Sequence, residues 1–302
     1  IKQNQEELPY ETLPGQIDIV KVELNTPLKP NESYKLNLSY IVQIPSDKFT
    51  SYGMTPTGDI NLRYWYITPA IYNGEWQYYS NKDLDDLYIP EANLALEIVC
   101  PIKYSVTSEL NASNVIQNNV NQTITLEGNN RVNNKLFLRK SPFFNSIQTD
   151  DFTLISDIED PNLAVIDKVL ITEKITKFIF ENLGNYPHEK LLLTNIDYSK
   201  DPIYGLNFLP KFVHPYPDNF QYELKLLKIA LYNYLENTLL VNPRKEQWLL
   251  EKKRKMPVIA PATDSRLPSN NVPRTKVVTN ISEDCNDGSE GKSKSIDDGS
   301  DL

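Results

Sequence analysis

The first half of the chain alternates hydrophobic and polar residues in short runs that Pro, Asn and Gly separate. The clearest runs cover residues 17–24, 34–42, 94–100, 123–126 and 135–138. A period of two among β-branched and aromatic residues is typical of strands with one buried face and one wet face. The pattern therefore predicts an antiparallel, β-sandwich-like domain over residues 1–155.

The hydrophobic period changes to that of a helix from about residue 156. One apolar stripe runs through residues 171, 175, 178, 179 and 183 and ends at Gly184, a typical helix stop. Residues 190–198 form an apolar run that predicts a buried strand. A second stripe covers residues 220–235, and Asp218 or Asn219 can cap that helix. These elements predict a separate α/β domain over residues 156–251, so the fold class is α+β and multidomain.

The last segment, residues 252–302, contains none of the 31 aromatic residues of the chain. It is rich in Ser, Asp, Pro and Lys, and such a composition buries too little apolar surface to offset the entropy of ordering. We therefore predict that this polar tail is disordered.

Composition narrows the classes of function. The net charge is −9, which argues against nucleic-acid binding, and the two cysteines exclude a disulfide-built scaffold. No run approaches the ~18 apolar residues that a membrane span requires. The chain begins with Ile1 and shows no leader, so we expect a fragment whose amino terminus is missing. The cytoplasm and the exterior of the cell are both compatible with this composition, and the sequence does not determine the oligomeric state.

Residue chemistry alone shows no catalytic apparatus. His188 begins a His-Glu-x-x-Leu sequence with Leu192 where a zinc motif needs its second histidine, and His214 lies in a Pro-rich loop. A surface turn is the more common role for such a histidine. The aromatic cluster of residues 64–66, Trp76, Tyr78 and Tyr79 suits either sheet packing, the more common role, or a surface that stacks sugars or peptides.

The order of several segments resembles the aminopeptidase N family of gluzincin zinc metallopeptidases, in particular divergent bacterial members. The likeness lies in Leu-Arg-Tyr-Trp-Tyr from residue 62, Asn-Gly-Glu-Trp-Gln-Tyr-Tyr-Ser-Asn from residue 73, Phe-Glu-Asn-Leu-Gly-Asn-Tyr-Pro from residue 180 and Tyr-Gly-Leu-Asn-Phe-Leu-Pro from residue 204. The resemblance implies an amino-terminal β-domain followed by an incomplete, thermolysin-like catalytic domain. Zinc is the cofactor of the family, and peptides are its substrates.

The zinc motif of that family is degenerate in this sequence. The family's His-Glu-x-x-His is followed after eighteen residues by a glutamate in Trp-Leu-x-Glu, which matches Trp248 to Glu251. Counting back places Lys228 and Tyr232 at the two histidines and Ile229 at the general base. Of the family's metal ligands only Glu251 is retained, so we expect no catalytic residue, no metal site and no bound cofactor.

The family strand that holds the substrate amino terminus corresponds to Gly205, Leu206, Asn207 and Phe208, which lack its glutamate. Three hypotheses follow. The chain is a truncated metallopeptidase-like pseudoenzyme, a peptidase whose active form needs residues outside this sequence, or a β module that binds peptides or glycans without catalysis.

Overall fold

The computed structural model describes residues 1–48, 50–78, 88–141, 143–149, 152–196, 218–239 and 274–280. Within these ranges the fold is α+β, with mostly antiparallel strands and two helices. The elements are β1 (Lys2–Gln3), β2 (Glu6–Glu7), β3 (Tyr10–Leu13), β4 (Gln16–Val22), β5 (Gly53–Met54), β6 (Ile60–Arg63), β7 (Ile71–Tyr72), β8 (Trp76–Gln77), β9 (Ala92–Pro101), β10 (Ser105–Ser108), β11 (Asn111–Gln117), β12 (Asn121–Arg131), β13 (Lys135–Arg139), β14 (Asn145–Gln148), β15 (Thr153–Ser156), α1 (Val165–Leu183), β16 (Lys190–Leu193), α2 (Asp218–Thr238) and β17 (Arg274–Asn280).

Two four-stranded sheets share one apolar core in the amino-terminal part. Their strand orders are β10-β13-β6-β5 and β11-β12-β9-β17. Strand β9 alternates regularly between buried and half-buried residues, so its inward side chains Leu96 and Ile98 meet Leu136 and Leu138 of β13 in the same cluster. This arrangement confirms the sandwich-like β-domain and the predicted strands at residues 94–100, 123–126 and 135–138.

The predicted strand over residues 34–42 is wrong. The structure places only one isolated bridge there, between Asn37 and Lys2, and the neighbouring Ile41 and Val42 are exposed. The alternation of this run is real, but no described strand pairs with it. A period-two pattern therefore indicates a strand only where a partner is available to complete its hydrogen bonds.

The carboxyl-terminal part packs α1 and α2 against the three-stranded sheet β14-β15-β16. The hydroxyl of Tyr234 on α2 donates to the carbonyl oxygens of Leu183 at 2.7 Å and Gly184 at 3.0 Å, which fixes the end of α1. Gly184 has a φ of 103°, a conformation that favours glycine. Because this sheet starts at Asn145, the predicted boundary at residue 155 falls inside it. Neither described helix is long and apolar enough to cross a membrane.

Strand β17 lies inside the segment that we predicted to be disordered. It pairs in parallel with β9, from Arg274 opposite Asn93 to Asn280 opposite Val99. The prediction of disorder is therefore wrong over these seven residues, and the rest of the predicted tail lies outside the described residues. Composition averaged over the whole tail hid a short β-branched run, Thr-Lys-Val-Val-Thr from residue 275.

The prediction of one buried and one wet face is also wrong for β6 and β13, whose residues are all buried. Leu136 and Leu138 face the sandwich core, while Phe137 packs with Leu192 of β16 on the opposite side. The carboxyl-terminal part therefore covers the second face of this sheet. That covered face carries the polar side chains described next.

Candidate functional site

Helix α2 carries the positions that the sequence analysis compared with a zinc motif. A step of four residues rotates a helix by only ~40°, so Lys228, Tyr232 and Glu236 form one row along α2. Lys228 is exposed, Tyr232 is half-buried and Glu236 is buried. The row thus starts in solvent and ends at the boundary with the β-domain.

Ile229, which was predicted to replace a general base, is half-buried and packs against the apolar core of the carboxyl-terminal part. An alkyl side chain can neither take a proton from water nor bind a metal. The buried face of α2 beside it is polar at its carboxyl end. Asn233 donates to the carbonyl oxygen of Leu192 at 2.8 Å, and Asn237 donates to the carbonyl oxygen of Asn233 at 2.9 Å.

Glu236 is held by two cations from the β-domain. Its carboxylate lies 2.5 Å from the guanidinium of Arg63 on β6 and 3.4 Å from the ammonium of Lys135 on β13. All three side chains are less than 10% exposed. Burial is the largest influence on the pKa of Arg63 and lowers it, but Glu236 together with Tyr64 and Tyr52 outweighs burial, so the net pKa is raised. The carboxyl group of Glu236 therefore links helix α2 to two strands of the β-domain.

A second buried carboxyl group, Glu109, continues this cluster behind Lys135. Its Oε1 accepts a hydrogen bond from the backbone N–H of Lys135 at 3.1 Å. Burial raises the pKa of Glu109, although Lys135 and Arg131 act in the opposite direction. We call Arg63, Arg131, Lys135, Glu109 and Glu236 the boundary cluster.

The row on α2 does not fit a zinc ion. Zinc takes imidazole, thiolate or carboxylate ligands. The exposed ammonium of Lys228 is a donor and a cation, and the carboxylate of Glu236 already contacts two cations. Among the described residues no group of three His, Cys, Asp or Glu side chains could hold a metal. Glu251 and the substrate-strand candidates Gly205, Leu206, Asn207 and Phe208 lie outside the described residues, as does His214.

The predicted aromatic cluster divides into two groups. Trp65 and Tyr66 pack against the sandwich core, with ring centroids 5.4 Å apart. Trp76 instead lies on the hairpin β7–β8, where its ring meets that of Tyr72 edge to face at 5.2 Å. Trp76 is 60% exposed and Tyr72 is 63% exposed. The hairpin therefore presents an aromatic pair to solvent, while Tyr79 lies outside the described residues.

Sequence reasoning missed the boundary cluster entirely. Charged residues at alternate strand positions are typical of a wet face, so Arg63 and Lys135 gave no signal of burial. Glu236 gave no sequence signal either, and the structure buries it beside Asn233 and Asn237. His188, predicted to lie on a surface turn, is in fact half-buried with its ring edge against Tyr186 at 5.3 Å.

No protein-family model matches the chain, and no curated protein matches it. Among solved structures, it is similar to a variant of a two-domain M1 zinc metallopeptidase bound to L-tryptophan, at 15% identity and a TM-score of 0.35. That match covers 64% of this chain and 45% of the other. A complex with L-arginine and an M1 zinc metallopeptidase variant from Deinococcus radiodurans each give 14% identity, a TM-score of 0.35 and 64% coverage of this chain. These matches cover 45% and 44% of those chains, so the chain spans less than half of such structures. At this TM-score the likeness carries no argument about function.

Proposed function

We propose that this chain is a metallopeptidase-like protein of the aminopeptidase N type that has no zinc-dependent peptidase activity. The observation that carries the proposal is the row on α2. Lys228 offers an exposed ammonium where a first imidazole would stand, and Ile229 packs into an apolar core where a general base would stand. Zinc hydrolysis needs both a ligand set and a base beside the bound water.

The carboxylate of Glu236 supports the same proposal. It is the only acidic side chain of the row formed by Lys228, Tyr232 and Glu236, and Arg63 and Lys135 hold it at the domain boundary. Drawing it towards a metal would leave two buried cations without their partner, at a cost of several kcal/mol. The row therefore serves to join two parts of the molecule. Peptides remain the expected binding partners through the resemblance to the family.

The test measures zinc and activity in the purified full chain. Metal analysis after extensive dialysis should find well below one zinc per chain, and amino-acid anilides should not be hydrolysed. The matched variant carries Lys228→His, Ile229→Glu and Tyr232→His together, which restores the ligands and base around Glu251. We expect this variant to take up more zinc than the unmodified chain.

Two results would contradict the proposal. The first is tight one-to-one zinc in the unmodified chain that Glu251→Gln abolishes. The second is hydrolysis of an anilide that a metal chelator stops. If the restored variant folds but binds no more zinc than the unmodified chain, the alignment of α2 with a zinc motif is wrong.

A second candidate function rests on the β7–β8 hairpin, whose aromatic pair Tyr72 and Trp76 is exposed. Exposed aromatic rings are enriched where proteins bind peptides, and they also present faces on which sugars stack. Peptide and glycan arrays with the full chain test this function. Trp76→Ala should remove any specific binding, while Tyr10→Ala, which truncates another tyrosine that is 61% exposed, should leave it intact. Arrays without a ligand that depends on Trp76 would exclude this function.

A further inference from the structure

Strand β17 lies at the edge of the sheet β11-β12-β9-β17 and pairs there with β9. The pairing is parallel and continuous, from Arg274 opposite Asn93 to Asn280 opposite Val99. The bonds of such a ladder are made by backbone groups, which every amino acid except proline supplies in full. An edge of this kind therefore accepts an extended segment mainly through its backbone, and side chains refine the choice.

Strand β9 is held in the fold by elements other than β17. Its opposite edge pairs in antiparallel fashion with β12 from Ala92 to Pro101. Its side chains Leu94, Leu96 and Ile98 are buried in the core that the two four-stranded sheets share. Withdrawal of β17 would thus leave a formed strand with a free edge, which is the condition for adding another strand in its place.

Strand β17 belongs to a polar stretch of the sequence. Residues 252–302 are rich in Ser, Asp, Pro and Lys, and Thr-Lys-Val-Val-Thr from residue 275 is a β-branched run within them. Residues 239–273 separate β17 from α2 along the chain. A short strand-forming motif on a long polar segment acts as a tethered peptide. It binds its edge at a high effective concentration, and a free peptide of the same kind competes with it.

The register indicates what kind of peptide the edge takes. Alternate residues of β17 are β-branched and pair with buried residues of the sandwich core: Thr275, Val277 and Thr279 with Leu94, Leu96 and Ile98. β-Branched residues favour the extended conformation. Strand β17 also contains Arg274 and Lys276 but no acidic residue, whereas the whole chain has a net charge of −9. A basic peptide is therefore attracted to this protein before it binds.

We propose that the edge of β9 from Asn93 to Val99 is a binding site for extended, basic peptides with alternate β-branched residues, and that β17 is its tethered competitor. A peptide binds by taking the place of β17 as a parallel strand. The register of β17 therefore defines the direction and the register of the ligand. The site is separate from the row on α2 and from the β7–β8 hairpin, so the proposal depends neither on the zinc content nor on Trp76.

The first experiment measures binding of a fluorescein-labelled peptide, Arg-Thr-Lys-Val-Val-Thr-Asn, to the full chain by fluorescence anisotropy. The test variant carries Val277→Pro and Val278→Pro. Successive N–H groups of a strand point to opposite sides, so one of the two prolines removes a bond to β9. We expect this variant to bind the peptide at least about tenfold more tightly than the unmodified chain, because the tethered competitor is withdrawn.

Matched controls separate loss of pairing from the introduction of proline. Ser293→Pro with Ser295→Pro places two prolines outside β17 and should leave the affinity for the peptide as it is in the unmodified chain. A labelled peptide with proline at both valine positions should not bind the test variant. Val277→Gly with Val278→Gly is a milder second variant, which lowers strand propensity and should raise the affinity in the same direction.

Hydrogen exchange followed by mass spectrometry locates the bound peptide. The amides of β9 should exchange faster in the double-proline variant than in the unmodified chain, and the free peptide should slow them again. Unchanged exchange in β13, an inner strand of the other sheet, shows that the variant is folded. Equal affinity of the peptide for the variant and for the unmodified chain would overturn the proposal. So would a lack of binding to the folded variant at millimolar peptide, or protection at a segment other than β9.

Discussion

The two faces of strand β13 are both buried, and they differ because charged residues flank Phe137 on one of them. On one face Leu136 and Leu138 lie in the sandwich core, and each is 0% exposed. On the other face Lys135 meets Glu236 and Arg139 lies 3.6 Å from Asp59. One strand therefore belongs to an apolar core and to a charged boundary at the same time.

The difference between the two faces teaches that burial has two energetic meanings. A fully buried leucine contributes roughly 1.5–3 kcal/mol through the area it removes from water. A buried ion pair contributes little net stability, because its attraction mostly offsets the cost of desolvation. Removing one member of such a pair is nonetheless severe, since the other charge stays buried alone. The charged face therefore specifies how the β-domain and the carboxyl-terminal part fit together. The apolar face supplies the larger share of the folding free energy.

The largest expected effect is that of Glu236→Ala, which leaves Arg63 and Lys135 buried without their carboxylate. We expect the free energy of unfolding to fall by about 3–5 kcal/mol, measured by urea denaturation. The control variant combines Glu236→Leu, Arg63→Met and Lys135→Met, and it should recover most of the loss because no buried charge of the group remains. If Glu236→Ala lowers the free energy of unfolding by less than about 1 kcal/mol, the charged face does not depend on Glu236 as we propose.

Leu96→Ala tests the apolar face. Leu96 is 0% exposed in the centre of the sandwich, so the truncation should cost about 3 kcal/mol by lost burial and by the cavity it leaves. Ile102→Ala is the matched control, because Ile102 is 45% exposed, and it should cost less than about 1 kcal/mol. Similar unfolding midpoints for the two variants would show that the core is not where we place it.

The pH dependence of stability sharpens the comparison through His188. Its pKa is about 3 in the folded chain, mainly through burial, and near 6.5 in an unfolded chain. The unfolded state therefore binds the proton first, and stability is lost as the pH falls below about 6.5. Between pH 7.5 and 5.5 we expect His188→Gln to lose about 1 kcal/mol less than the unmodified chain. Parallel curves from urea titrations at both pH values would contradict the burial of the ring.

The smallest effect should come from the exposed ion pair on α1. Lys177 and Glu181 lie one turn apart at 3.9 Å, and both side chains are more than 60% exposed. Lys177→Ala should change the free energy of unfolding by no more than about 0.5 kcal/mol, which thermal melts of the two proteins can resolve. A change above about 1.5 kcal/mol would mean that exposure does not separate this pair from the one at Glu236.

Sequence patterns predicted the elements that bury one apolar face. They failed where the outcome depends on which other element packs against the strand. Strand β9 follows from its period, because it buries one regular face. The period also predicts helix α1, but Phe178 of the predicted stripe is 49% exposed, while Thr172 and Thr176 outside the stripe are buried. The burial of Arg63 and Lys135 could not be predicted, since it depends on a second layer that covers the same strands. The prediction of a strand over residues 34–42 failed because, among the described residues, no strand pairs with this run.

The candidate site was predictable only in part. Counting residues placed Lys228, Ile229 and Tyr232 on one helix, and the structure describes all three on α2. The ionic contacts of Glu236 could not be predicted from the sequence, because its partners Arg63 and Lys135 lie far away along the chain. Contacts between residues distant in sequence leave no periodic trace, so the sequence could place the three residues on one helix but could not show which cations lie beside Glu236.

The parallel pairing of β17 with β9 has a consequence for the order in which the chain folds. Asn93 and Arg274 are opposite each other although roughly 180 residues separate them. During synthesis at ~5–20 residues per second, the edge of β9 waits roughly 10–40 s for its partner. An open edge on a core strand is a template for pairing with other chains. The nascent protein is therefore most exposed to aggregation in that interval, and a chaperone that covers β9 would act there.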